Sequence, residues 1–190
     1  MSSRIGSLVV CSAVVLVACD ATRSAAPSGG DADATRVAFS AAGAVAVLTG
    51  SGHHSRVAGT EEDLTTFSFT AVRKADGSVS GHYQYDFRLR GFAVRGKVTC
   101  VSTNGTQAWV GGTVDQVVTA DPAFESLLGL EMWWRSIDNG EGAGATPDLT
   151  TGVGFELEGN PTTAASWCRD QPEVLPLRVV EQGNIQLRAD

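Results

Sequence analysis

Apolar and polar positions alternate through Thr66-Phe67-Ser68-Phe69-Thr70-Ala71-Val72, which puts Phe67, Phe69 and Ala71 on one face of an extended segment. Ala75-Asp76-Gly77-Ser78 follows with hairpin-turn chemistry. On the return, Val79, Gly81, Tyr83, Tyr85 and Phe87 share one face, while Ser80, His82, Gln84 and Asp86 share the other. Phe92 to Val101 reads as a further strand, Asn104-Gly105 as a tight turn, and Gln107 to Val114 as the strand returning from it. The paired Gly111-Gly112 inside that strand predicts a bulge or a sharp bend. Asp121-Pro122 has the form of a helix start, an N-cap acid before a proline, and predicts one or two helical turns through Leu128. Leu130 to Ile137 is the next strand, and Thr151–Leu157 and Leu177–Val180 carry weaker strand patterns. A turn is expected at Gln182-Gly183-Asn184, before a last strand at Ile185 to Arg188. Short strands at this spacing predict an all-β fold, an antiparallel small barrel or sandwich with one short helix.

The first residues follow a different pattern. Ile5 to Ala18 is apolar, preceded by one charge at Arg4, and closes on Leu16-Val17-Ala18-Cys19. The run has signal-peptide length and is too short to span a bilayer. Its ending resembles a bacterial lipoprotein signal, which implies cleavage before Cys19 and lipidation of that cysteine. The alternative is an ordinary secretory signal that leaves Cys19 a free thiol. Residues 20–36 are small and polar with no apolar period, the composition of a flexible tether. The expected organisation is a signal at 1–18, a tether at 19–38 and one domain at 39–190. Such a chain is held to a membrane through its N-terminal lipid, in the cell envelope, on the periplasmic side or at the surface.

Composition narrows the partners. The chain carries 14 Lys+Arg against 21 Asp+Glu. Loss of residues 1–18 removes only Arg4, leaving 13 bases against 21 acids. That balance argues against a nucleic-acid partner or a polybasic membrane surface. The candidate partners are an envelope protein or a glycan. Of the four cysteines, Cys11 lies in the signal and Cys19 at its end. Cys100 and Cys168 then remain, and in an oxidising compartment they are expected to form a disulfide. Closing so long a loop stabilises by about 4 kcal/mol in the chain-entropy account.

Candidate chemistry is sparse. Asp138-Asn139-Gly140-Glu141-Gly142, with Asp148 beyond, is the densest polar cluster, so Asp138, Glu141 and Asp148 are the candidate calcium ligands. Their spacing is not that of an EF-hand. The competing and preferred reading is a glycine-rich connection whose side chains bond their own backbone. His53-His54, with His82, offers metal-ligating nitrogens, but neighbours on a strand face opposite ways and a surface loop is the expectation there. Trp133 and Trp134 are the candidate ligand-binding aromatics: one is expected in the core and the other at an edge or open to solvent. Glu156 and Glu158 would share a strand face, the least that a carboxylate hydrolase needs. No Gly-x-Ser-x-Gly or His-Glu-x-x-His motif occurs, no catalytic residue is assigned and no cofactor is expected.

Phe67-Ser68-Phe69, Ala75 to Gly81, Gly96-Lys97-Val98-Thr99-Cys100, Ala108 to Gly112, Asp138 to Gly142 with Pro147-Asp148, and Gly183-Asn184-Ile185-Gln186 occur in that order. In this they resemble small all-β domains of uncharacterised bacterial secreted proteins and lipoproteins, over about residues 48–188. The resemblance implies an extracytoplasmic β domain and brings no activity with it. The leading expectation is a membrane-anchored lipoprotein with a non-catalytic binding or structural domain. The alternatives are a calcium-dependent or aromatic-groove module for a carbohydrate or other small ligand, and a carboxylate hydrolase.

Overall fold

The computed structural model describes residues 44–142 and 144–190. The signal segment, Cys19, the tether at 19–38 and the first residues of the 39–190 domain lie outside the described residues. The strands are β1 (Ala44–His54), β2 (Thr65–Lys74), β3 (Val79–Phe87), β4 (Phe92–Asn104), β5 (Gln107–Thr119), β6 (Glu131–Ile137), β7 (Leu149–Thr151), β8 (Gly154–Phe155), β9 (Leu177–Val179) and β10 (Gln182–Ala189). Among the described residues there is one α-helix, α1, at Ala164–Asp170. The strands form a single antiparallel sheet in the order β10-β1-β2-β3-β4-β5-β6-β7-β9, with β8 beside β6. The fold is all-β, and the sheet curls on itself as a half-barrel with one short helix against it.

Alternation builds the curl. Leu48, Phe67, Phe69, Tyr83, Tyr85, Val94 and Trp134 face inward as the main core. Phe69 lies over Gly50, and Tyr83 lies over Gly96 and Gly112, where a Cβ would strike the ring in each case. Bare backbone under an aromatic ring lets adjacent strands coil tightly without leaving a void. The β4–β5 register slips between Arg95 and Gly96 and again between Val98 and Cys100, opposite the Gly111-Gly112 pair expected to mark a bend.

The helix expected after Asp121 forms as a 3-10 segment at Pro122–Leu127, with the Asp121 side chain accepting from the Ala123 N–H. The α-helix lies later, at Ala164–Asp170, where Thr163 and Ser166 bond reciprocally in a capping box. Helix α1 packs on the outer side of β5 and β6 over a second cluster of Trp109, Trp133 and Trp167. A Cys100–Cys168 disulfide ties the helix to β4, with Cα atoms 6.2 Å apart.

Two expectations give way here. Gly183 does not make a turn: β10 is continuous from Gln182 to Ala189 and pairs with β1, with Gly52 opposite Gly183. The two backbones approach so closely that a Cβ on Gly183 would collide with the Ser51 carbonyl. His53-His54 is not a loop but the end of β1, and His54 is buried.

Candidate functional site

The sequence-derived site residues divide by burial and by the bonds they already make. Trp134 is 0% and Trp133 3% exposed, so neither is open to solvent. Trp134 stands in the core between Tyr83 and Tyr85, with ring centroids 5.5 and 5.4 Å away. Trp133 points the other way and packs on Trp167 beneath α1. The edge or exposed tryptophan expected from the sequence is therefore absent from this pair, because α1 covers the second face of β6. Burial also pushes the Tyr83 and Tyr85 phenols well above their ordinary pKa, so both stay protonated.

The acidic cluster is spent on hydrogen bonds, Asp138 and Asp148 to backbone and Glu141 to side chains. Asp138 accepts from the Gly140 N–H at 2.8 Å and from the Leu187 N–H at 2.7 Å. Asp148 accepts from the Asn139 N–H at 2.9 Å and from the Ile185 N–H at 2.7 Å. Glu141 accepts from the side chains of Asn184 and Gln186. Among the described residues β10 ends the sheet, with β1 on one side only. The N–H groups of Ile185 and Leu187 on its other side would be a bare edge, and the two aspartates take the place of a neighbouring strand. Among the described residues, no group of three or more His, Cys, Asp or Glu is placed to hold a metal ion.

Glu156 and Glu158 follow β8 as a loop. His82 is exposed on β3, far in register from His53 and His54 on β1.

The polar face of the sheet carries a feature that no sequence motif marks. A groove of about 770 Å³ crosses β10, β1, β2, β3, β4 and β5 on the side away from the core. Its floor carries hydroxyls from Thr49, Ser51, Ser68 and Thr70, and amides from Gln84, Asn184 and Gln186. His82, Arg95 and Asp115 add ionisable groups. Asp115 pairs with Lys97 at 3.4 Å, and Arg95 donates to Gln116 at 3.4 Å, so the two charges have partners within the face. Glu141 holds Asn184 and Gln186 from the β10 side and orders that end of the floor. The alternation that buries Phe67 and Phe69 is the same one that presents Ser68 and Thr70 here. The signal was therefore in the sequence, as the polar half of each alternating run, but solvated strand faces carry that pattern too.

No described helix is long and apolar enough to cross a membrane. Comparison with known proteins finds no matching family model, no matching curated protein and no matching solved structure.

Proposed function

We propose that the chain is a lipid-anchored, extracytoplasmic binding module, without catalysis, whose polar groove takes a neutral polyhydroxylated chain such as an envelope glycan. The observation that carries the reading is the groove itself. Five of the six strands that line it present hydroxyls or amides, and β4, which the disulfide ties to α1, adds Arg95. Each hydroxyl or amide both donates and accepts, which matches the mixed donors and acceptors of a sugar ring. A rigid sheet holds these groups in place before binding, so little ordering entropy is lost on association. Trp133 and Trp134 are buried, so the reading rests on the polar groups of the groove and not on an aromatic platform.

The address rests on Leu16-Val17-Ala18-Cys19 and is supported by a disulfide suited to an oxidising compartment. Cys19→Ala should leave the protein unlipidated and out of the membrane fraction; full retention in membranes would defeat the anchoring. The groove is tested by retention of the full chain on insoluble envelope polysaccharide. Gln84→Ala combined with Asn184→Ala should abolish retention while the circular dichroism spectrum stays unchanged. Retention equal to that of the parent would refute the groove as the site.

A further inference from the structure

A second concavity opens at one end of the half-barrel, where the β1–β2 loop, the Arg88–Arg90 3-10 turn and strands β8 and β9 meet. It is small, about 140 Å³, and shares no lining residue with the polar groove. Phe87, Phe92, Phe155 and Val153 form its apolar walls. Its polar side is a connected set of four groups. Arg178 Nη2 donates to Asp63 Oδ2 at 3.1 Å, and Arg90 Nη2 lies 3.5 Å from Asp63 Oδ1. Arg178 Nη1 meets His54 Nδ1 at 3.4 Å.

Donor and acceptor chemistry fixes the state of this set. A guanidinium has only donors, so His54 Nδ1 must accept and the ring proton sits on Nε2. The imidazole is then neutral. Burial and the Arg178 charge agree with this, holding His54 down at about 4. Among the lining residues two guanidiniums therefore face one carboxylate, a local excess of one positive charge, while Glu181, outside the lining, acts on His54 from nearby and accepts from the Gly59 N–H at 2.8 Å. The whole chain carries a net charge of −7, so this local excess runs against its overall balance. His54 Nε2 is buried and has no hydrogen-bond partner among the described residues.

We propose that this cleft is a binding site for a small organic carboxylate bearing a single ring or a short apolar chain. The carboxylate pairs with Arg178 and Arg90, and a planar two-oxygen anion matches the guanidinium fork. The apolar body lies against Phe87, Phe92 and Phe155. The size limits that body: a dry cavity of about 150 Å³ takes a benzene ring. Arg90, with its side chain 60% exposed, stands at the rim, whereas Arg178, 19% exposed, lies deeper.

The test is calorimetric titration of the full chain with benzoate, with benzamide as the uncharged analogue and inorganic phosphate as an anion without a ring. Benzoate should bind at least about tenfold more tightly than either, a difference of about 1.4 kcal/mol. Arg178→Met should remove benzoate binding. Arg178 also braces Asp63, so Arg90→Met serves as the second variant. At the exposed rim it should leave the melting curve unchanged and weaken benzoate severalfold. Benzamide or phosphate binding as tightly as benzoate, no benzoate heat up to about 10 mM, or unchanged affinity in Arg90→Met would each overturn the proposal. Polysaccharide retention depends on other residues, so loss of either reading leaves the other standing.

Discussion

Asp148 should behave as a structural member of the sheet, and its removal should open the seam beside β10. Its side chain is 6% exposed, and each carboxylate oxygen holds a backbone N–H, from Asn139 at 2.9 Å and Ile185 at 2.7 Å. Its own carbonyl accepts from the Val180 N–H at 2.9 Å, so one residue joins the β6–β7 connection, the end of β9 and the edge of β10. Asp148→Ala leaves two donors without partners, one of them on Ile185, which is 0% exposed. Hydrogen bonds to a charged group contribute about 1.5–3 kcal/mol each, so the loss is roughly 3–5 kcal/mol. For a domain of this size that lowers the melting temperature by roughly 10 °C. Asp148→Asn is the sharper probe. It keeps the volume and one oxygen, but turns an amide NH₂ toward the second N–H, so donor faces donor. We expect it to recover less than half of the loss. Asp115→Asn, which disturbs only the exposed pair with Lys97, should cost about 0–1 kcal/mol. Urea unfolding followed by tryptophan fluorescence gives the energies, and amide hydrogen exchange at Ile185 and Leu187 locates the opening. A cost below about 1 kcal/mol for Asp148→Ala, with the Ile185 amide still protected, would refute the reasoning.

Three further outcomes follow from the same structure. His54 has its pKa lowered from 6.5 to about 4, mainly by burial and then by Arg178. The unfolded chain therefore binds a proton between those values that the native chain refuses, and stability falls as pH drops through that window. At about 1.36 kcal/mol per pH unit the loss reaches roughly 3 kcal/mol by pH 4; His54→Gln should flatten that part of the stability–pH curve relative to the parent, and parallel curves would contradict the assignment. Gly111 lies under α1, where a Cβ would sit 2.6 Å from Ala164 Cβ and 2.9 Å from Cys100 Sγ. Gly111→Ala should cost about 1–3 kcal/mol by overpacking, and Ala164→Gly in the same chain should restore part of it, as a double-mutant cycle in urea would read. The carboxylates of Asp138, Glu141 and Asp148 are engaged by N–H donors, so the melting temperature should be the same in millimolar calcium and in chelator; a rise of several degrees that is lost in Asp138→Ala would restore the calcium reading.

The sequence was most legible where one face of a strand is core and the other is wet. Phe67, Phe69, Tyr83 and Tyr85 were placed on the core face by period-two alternation alone, and the hairpin at Asp76-Gly77 closes where its turn residues put it. Legibility failed where both faces are covered. Ala108–Gly112 and Met132–Ser136 are buried at every position, because the barrel core lies on one side and α1 on the other. Trp133 beside Trp134 was the available sign of two-sided burial, yet α1 itself is only seven residues long and its capping box uses Ser166 where Glu or Gln is usual. Gly183 misled for a related reason. Glycine serves turns, but it also serves close backbone contact, and only the pairing with Gly52 across β1 and β10 decides between them.

The remaining site features depend on contacts that no local window contains. Asp148 meets Ile185 across 37 residues and Asp138 meets Leu187 across 49, so a cluster that reads locally as a cation loop becomes the missing neighbour of an edge strand. Asp63 and Arg178 are 115 residues apart and join because the β1–β2 loop and β9 lie at the same end of the half-barrel, where the Glu181 N–H extends the β1–β10 ladder by donating to the His53 carbonyl at 2.9 Å. Curling the sheet brings its ends together, and a carboxylate or guanidinium placed there finds partners that its sequence neighbours do not supply. In this chain Asp138 and Asp148 are satisfied by backbone N–H groups and join their loop to the edge of β10, where Glu141 holds Asn184 and Gln186. In the cleft at the His54 end, two lining guanidiniums share one lining carboxylate, and that arrangement makes the cleft, rather than the acidic loop, the place to look for an anionic ligand.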